Sequence, residues 1–270
     1  MLIFSNNSFM GYPVVQALYG DSAIFYITIF NMPFSILFFS MGLHLLKKDA
    51  AIESGNFVKE KLNLKKTPFV CYSGIPDDLA QQQIENIGIL ELEDSLNFIY
   101  VGRLIKYKNV DVIIRALHKK YQDRAILHIV GEGAEEENLR QLSRQLKIEK
   151  NIIFHGQLPR NEVYRMMKKS YCFIMVSDNE TFGMVYIEAM LAGCVTIASK
   201  AGGVDGVIID GENGFLSKQG DESELVKTLD EIEKKSKEEI AKIRKKAILT
   251  AYTYRDSEIA RKYLNDVLNW

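Results

Sequence analysis

The sequence predicts an α/β protein organised around a doubly wound, parallel sheet. Three observations lead to that reading. From Asn97 onward, short apolar runs alternate with stretches whose apolar residues recur at helical spacing. Glycine-bearing turns punctuate many of the changes from one to the other. Between Tyr171 and Gly193, one strand–turn–helix unit gathers the residues best suited to a charged ligand. Repeated strand–helix units build parallel sheets with helices on both faces. Ligands of such sheets sit beyond the carboxyl ends of the strands.

The elements can be taken in order. Met1 to Tyr19 lacks the basic start, compact apolar run and cleavage site of a secretory leader. Ser22 to Leu46 is uncharged and is followed by Lys47-Lys48, so it is long enough to span a bilayer with the lysines on the cytoplasmic side. Asn31-Met32-Pro33 divides that stretch, however. Ala23 to Phe30 is rich in β-branched and aromatic residues, and Pro33 suits the first turn of a helix. A buried strand, a turn and a helix are therefore expected there. Lys48 to Leu62 reads as helix, Phe69 to Tyr72 as a short strand, and Asp77 to Ser95 as an acidic linker with a short helix. The regular alternation follows: strand Phe98–Val101, helix Val110–Lys120, strand Ala125–Val130, helix Ala134–Leu146, strand Ile152–Phe154 and helix Asn161–Lys169. Thr196 to Ala198 is a further strand, and Asn213-Gly214-Phe215-Leu216 turns into the last one. Asp221 to about Thr250 is dense in Glu and Lys at helical spacing and reads as a solvated helical face. Asp256 to Trp270 forms a closing amphipathic helix.

The unit from Tyr171 to Gly193 carries the chemistry. Tyr171 to Val176 reads as a buried strand. A polar turn, Ser177 to Thr181, leads into a helix that opens near Phe182 and Gly183 and stops before Gly193. The unpaired N–H groups and partial positive charge of that opening suit a phosphate, and Gly183 lets a ligand approach the backbone. Glu180 precedes the helix, while Glu188 lies about 7–8 Å along its axis from Gly183. A carboxylate at that depth can accept hydrogen bonds from ribose hydroxyls while the helix mouth holds a diphosphate. After the strand Phe98–Val101, Arg103 offers a two-pronged grip on phosphate oxygens, and Lys108 adds a movable point charge. Together they can stabilise a diphosphate leaving group without a divalent metal. The loops Gly102-Arg103, Gly131-Glu132-Gly133, His155-Gly156 and Ser177 to Gly183 all follow strands, so they converge on one edge of the sheet.

Composition narrows the remaining classes. Apolar residues at 47% and charged residues at 26% are ordinary for a globular chain of 270 residues. A formal net charge of −1 gives no global attraction to nucleic acid, so an anionic ligand needs local positive charge. Cys71, Cys172 and Cys194 lie far apart in apolar contexts and read as reduced core residues of a cytoplasmic protein. His44, His118, His128 and His155 are scattered and announce no metal site.

Glu180, seven residues and then Glu188, with Thr181-Phe182-Gly183 after the first and Ala-Met-Leu-Ala-Gly after the second, closely resembles the signature of retaining GT-B glycosyltransferases. The resemblance is to glycosyltransferase family four, the glycosyl transferases group one. The Gly-Arg-Leu stretch followed three residues later by Lys is similar to that family's phosphate-binding element, and this spacing favours Lys108 over Lys106. Asn109 stands where the family commonly has Gly, so a different turn of the loop is expected there. Ser73-Gly74-Ile75 resembles the turn that closes the family's first domain, with Ser73 in place of Asn. Gly202-Gly203 resembles the sugar-side glycine pair, but Gly206, after Asp205, stands where a Glu is common. Asp178-Asn179-Glu180 has an acid-x-acid appearance, yet a hard cation needs more converging carboxylates than this loop supplies.

The resemblance is good from Asn97 to Leu216 and weaker from Ala50 to Pro76. It implies three segments: residues 1–95 as a partial N-terminal, acceptor-side α/β domain with its linker, residues 96–252 as the nucleotide-sugar domain, and residues 253–270 as a helix returning toward the first domain. Tyr252, Tyr254 and Trp270 are expected to pack on that first domain. The implied reaction transfers a sugar from a nucleotide-diphosphate donor to a hydroxyl of a saccharide or lipid-linked acceptor, with retained configuration. Arg103 and Lys108 would stabilise the leaving phosphate, Glu180 would meet the donor sugar, and Glu188 would hold the ribose. Gly102, Gly131, Gly133, His155, Gly156, Thr181, Phe182, Gly183 and Met184 would surround the nucleotide. The resemblance implies neither a metal nor an organic cofactor, and it allows peripheral contact with the inner face of a membrane. The alternatives are a shortened, donor-binding remnant or subunit that needs a partner, and another GT-B enzyme such as an epimerase or a phosphorylase.

Overall fold

A computed structural model describes residues 74–85, 87, 96–178, 180, 183–200, 203–204 and 206–268, the last three in backbone only. The elements expected before residue 74, Cys71, Thr181, Phe182 and Trp270 lie outside the described residues. The chain divides into two compact units, Met1–Ser73 with Ile259–Trp270, and Gly74–Glu258. The second unit holds the sheet.

Its elements are α1 (Asp77–Glu85), β1 (Asn97–Val101), α2 (Val110–Tyr121), β2 (Ile126–Val130), α3 (Glu136–Gln145), β3 (Ile152–Phe154), α4 (Arg160–Lys169), β4 (Cys172–Met175), α5 (Met184–Ala192), β5 (Val195–Ser199), β6 (Phe215–Ser217), α6 (Glu222–Glu233) and α7 (Lys237–Tyr252). A further helix, α8 (Asp256–Leu268), starts in this unit and runs beyond it. The six strands form one sheet in the order β3-β2-β1-β4-β5-β6, every pair parallel. The order reverses between β1 and β4, which is the switch point where doubly wound sheets bind ligands. The doubly wound class expected from the alternation is therefore the class observed.

Burial explains the composition of the strands. β4 and β5 are buried along their whole length, as a parallel sheet covered on both faces requires. Helix α5 is apolar almost all round and buries Tyr186, Ile187, Ala189, Met190, Leu191 and Ala192. A helix of that kind belongs inside a core, so Glu188 in its middle is conspicuous. The helix stops at Gly193, whose φ of 79° closes the last turn. Arg244 of α7 donates through Nε to the Gly193 carbonyl and is itself buried. That contact satisfies a helix-end acceptor and places a cation at the negative end of the dipole.

Two expectations change here. The charged stretch from Asp221 is two helices, because Ser236 caps α7 through a reciprocal bond pair with Glu239. Nor is its charge all solvated, as Arg244 shows. Tyr252 meets Gln81 of α1, its Oη donating to Oε1 at 3.0 Å, and Tyr254 accepts from the Ile75 N–H at 2.9 Å. Gln81 and Ile75 both belong to the segment 1–95, the Tyr254 contact is through its backbone carbonyl, and Ile75 also bridges to Arg255 just ahead of α8.

Candidate active site

The site begins at the switch point, where the loops after β1 and β4 are bound together. Residues Lys106–Lys108 form a 3₁₀ turn, and Asn109 follows with φ 53° and ψ 38°. That left-handed conformation is one that glycine adopts freely and asparagine tolerates. The loop thus turns through the conformation that a glycine would offer, and the different turn expected at Asn109 is not found. The asparagine adds what glycine lacks: its Nδ2 donates to the Val176 carbonyl at 2.9 Å and to Asp178 Oδ1 at 2.7 Å. The Asp178 N–H returns a bond to the Tyr107 carbonyl at 2.9 Å.

Across this seam Lys108 Nζ pairs with Glu180 Oε2, both side chains being largely withdrawn from solvent at 11% and 15% exposure. Lys106, on the other side of the tight turn, is exposed. Arg103 is exposed and held by one long bond from Nη2 to Tyr107 Oη, at 3.3 Å. Its carbonyl accepts from Tyr100 Oη at 2.9 Å. Burial first, and then the nearby Glu180 charge, pushes the Tyr100 phenol far above its usual range, so it remains a donor.

The other turns stack onto this one. The Gly102 N–H donates to Val130 O at 3.0 Å, Leu104 N–H to Glu132 O at 2.9 Å, and Gly131 N–H to Gly156 O at 2.8 Å. A Cβ on Gly131 would fall 2.0 Å from the Gly102 carbonyl oxygen, and one on Gly133 2.2 Å from that of Leu104. These glycines let the β2 turn lie directly on the β1 loop. Beyond β3, His155 meets His128, Nε2 to Nδ1 at 2.9 Å. The pairing was not visible in the sequence. Burial and then the neighbouring His155 lower the His128 pKa, so one ring must be neutral for the shared proton.

Gly183, at φ 66°, opens α5; a Cβ there would lie 2.4 Å from the Tyr186 ring and 3.0 Å from Glu180 Cγ. The first N–H groups of a helix suit an anion; in this first turn the Tyr186 N–H bonds back to the Gly183 carbonyl at 2.9 Å. Glu188 stands one turn further, its side chain 19% exposed, and pairs with Arg160 at the start of α4. Asp178 faces Asn109, and Glu180 faces Lys108. Among the described residues, no three His, Cys, Asp or Glu side chains gather as metal ligands do.

A model of the glycosyl transferases group 1 family matches residues 82–250, more than half of the chain. The chain belongs to that family. It is 31% identical over 167 residues to N-acetyl-alpha-D-glucosaminyl L-malate synthase of Bacillus anthracis, covering 62% of this chain and 40% of that protein. Its fold is similar to Anabaena HepE solved in complex with UDP and glucose, with a TM-score of 0.64, 24% identity and coverage of 76% and 57%. Sucrose-phosphate synthase from Thermosynechococcus elongatus gives a TM-score of 0.66 at 20% identity, over 80% of this chain and 56% of that one. The expected GT-B-type α/β architecture is the one these neighbours share. The chain spans less than half of the length of the curated relatives it matches. Among the described residues, no helix is long and apolar enough to cross a membrane.

Proposed function

We propose that the chain transfers a sugar from a nucleotide-diphosphate sugar to an acceptor hydroxyl with retention of configuration, in polysaccharide or glycolipid assembly. The observation that carries this reading is the meeting of Lys108 with Glu180 across the switch point, beside the glycine-opened mouth of α5. A cation, a carboxylate and a helix N-terminus at one place suit a substrate that combines a diphosphate with a sugar. Arg103 and Lys108 grip the phosphates as charge grows on the leaving group, with the Gly183 and Met184 N–H groups assisting. Glu188 holds the ribose, and Glu180 faces the donor sugar and steadies the positive charge that develops on it. Thr181 and Phe182 are further nucleotide-binding residues in this reading, while Gly102, Gly131, Gly133, His155 and Gly156 shape the nucleoside side. The cationic pair and the helix mouth supply the charge that a metal provides elsewhere, so no metal or organic cofactor enters this scheme.

The acceptor in this reading is a saccharide or a lipid-linked saccharide. The protein works on the cytoplasmic side, peripherally at the membrane face when the acceptor is a lipid. Titration calorimetry with UDP, GDP, ADP and their sugars tests donor binding, and the anomeric proton coupling of the product tests retention. Arg103→Glu should abolish binding of the preferred diphosphate. Unchanged affinity in that variant would overturn the site. Binding without transfer to any acceptor would instead make this a donor-binding subunit that needs a partner.

A further inference from the structure

Glu188 is the one charged residue of an otherwise apolar helix, and its orientation is fixed from outside that helix. Arg160 Nε donates to Glu188 Oε1 at 2.8 Å, and its Nη2 stands 2.7 Å from the same oxygen as an ion pair. A planar guanidinium set against one oxygen restricts the rotamer of the glutamate and leaves the other oxygen turned away from it. Oε2 keeps its acceptor capacity. The source of Arg160 matters as well. It is the first residue of α4, entered through Pro159 directly after the His155-Gly156 turn, so the β3 side of the site reaches over to the β4 side.

Stability alone is a weak reason for such a contact. The Arg160 side chain is 51% exposed, and an ion pair with one half-exposed member contributes little to folding. We propose that Arg160 is a positioning residue. It turns Glu188 so that Oε2 meets the ribose hydroxyls of the donor, and it thereby sets the preference for ribonucleotides over deoxyribonucleotides. The inference rests on the reading of Glu188 as the ribose-binding carboxylate.

The test measures affinity for UDP and for 2′,3′-dideoxy-UDP, or for the same pair on whichever base binds best, with the full chain. A site built to accept hydrogen bonds from hydroxyls rejects the analogue lacking them, so the unsubstituted protein should prefer UDP by about tenfold or more. Arg160→Gln should bring that ratio to within about threefold by weakening UDP, with dideoxy-UDP nearly unaffected. Arg160→Lys should restore only part of the ratio, because an ammonium lacks the fork. Adding Arg160→Gln to Glu188→Gln should cost nothing further, since the two residues act as one unit. If the unsubstituted protein prefers UDP and Arg160→Gln keeps the full ratio, Arg160 does not position Glu188. Equal loss of both ligands would mark a structural role and also overturn the inference. If the unsubstituted protein does not distinguish the two ligands, the ribose reading of Glu188 fails first and takes the inference with it.

Discussion

Replacing Glu180 by Gln should move nucleotide binding and catalysis in opposite directions. In the structure the Lys108 ammonium is engaged by the Glu180 carboxylate, with both side chains mostly out of water. A diphosphate that uses Lys108 must share or displace a charge-assisted hydrogen bond of about 1.5–3 kcal/mol. It must also settle near a like charge. At roughly 5 Å and an effective dielectric constant near 20, a carboxylate and a phosphate oxygen repel by about 3 kcal/mol. Water at an open site screens much of this, and Lys108 stays close enough to serve both partners. A net gain of about 1–2 kcal/mol for the free diphosphate is therefore expected, a factor of roughly 5–30. Glutamine retains a neutral acceptor for Lys108, so the fold should persist. Turnover of the sugar donor should fall by about 100- to 1,000-fold, the scale for one removed electrostatic contact to a transition state. Calorimetry with UDP and a single-turnover assay with the UDP-sugar read the two halves separately. Glu180→Gln binding UDP no more tightly than the unsubstituted protein would refute the competition for Lys108. An unchanged turnover rate would refute the role of Glu180 at the sugar.

Three further outcomes follow from the same geometry. Asn109→Gly keeps the left-handed turn but loses the bonds to Val176 and Asp178, and Asn109→Ala loses both. Thermal melts should show Gly about 1–2 kcal/mol less stable than Asn, and Ala lower still. Gly183→Ala combines φ 66° with a clash on the Tyr186 ring, so a loss of about 1–3 kcal/mol and weakened diphosphate binding are expected by melting and calorimetry. His128, lowered by burial and then by His155, binds fewer protons folded than unfolded below about pH 6.5, where free histidine titrates. Stability should therefore decline as pH falls from about 6.5 toward the folded pKa, and denaturant titrations of His128→Asn across that window should show a flatter slope.

The sheet was legible because parallel strands buried on both faces must be apolar throughout, and β4 and β5 are. Glu188 stands out for a related reason, because charge has little place in a helix as apolar as α5, whereas Glu180 lies ahead of the helix and is marked by its spacing to Glu188 and by the Thr-Phe-Gly that follows it. What escaped the sequence depends on register and reach. His128 and His155 are 27 residues apart, and they meet because β2 and β3 pair with His128 opposite Ile153, which carries the next turn back over the sheet. Arg160 reads as one more surface charge at a helix start until the packing of α4 beside α5 brings it to Glu188. Asn109 looked like a departure because only its side-chain identity was visible, whereas the loop depends on the backbone angle. The break at Ser236 was available, as Ser-Lys-Glu-Glu is a capping signature, but the surrounding Glu and Lys made the stretch read as one continuous helix.

These cases share a physical cause that bears on how the site works. Three of the residues singled out in the sequence, Lys108, Glu180 and Glu188, are held by a partner from a different strand-end loop or helix start: Lys108 by Glu180 and Glu188 by Arg160. Asn109 and the backbone bonds between Gly102, Leu104, Glu132, Gly131 and Gly156 connect the remaining turns. On the proposed reading, a donor at this rim meets carboxylates already paired with cations, so its binding exchanges one set of charged contacts for another. Exchange of that kind costs little conformational entropy, and it makes affinity sensitive to the charge of each partner. That is why single, nearly isosteric changes at Glu180 and Arg160 should shift ligand preference by measurable factors while leaving the core of the sheet untouched.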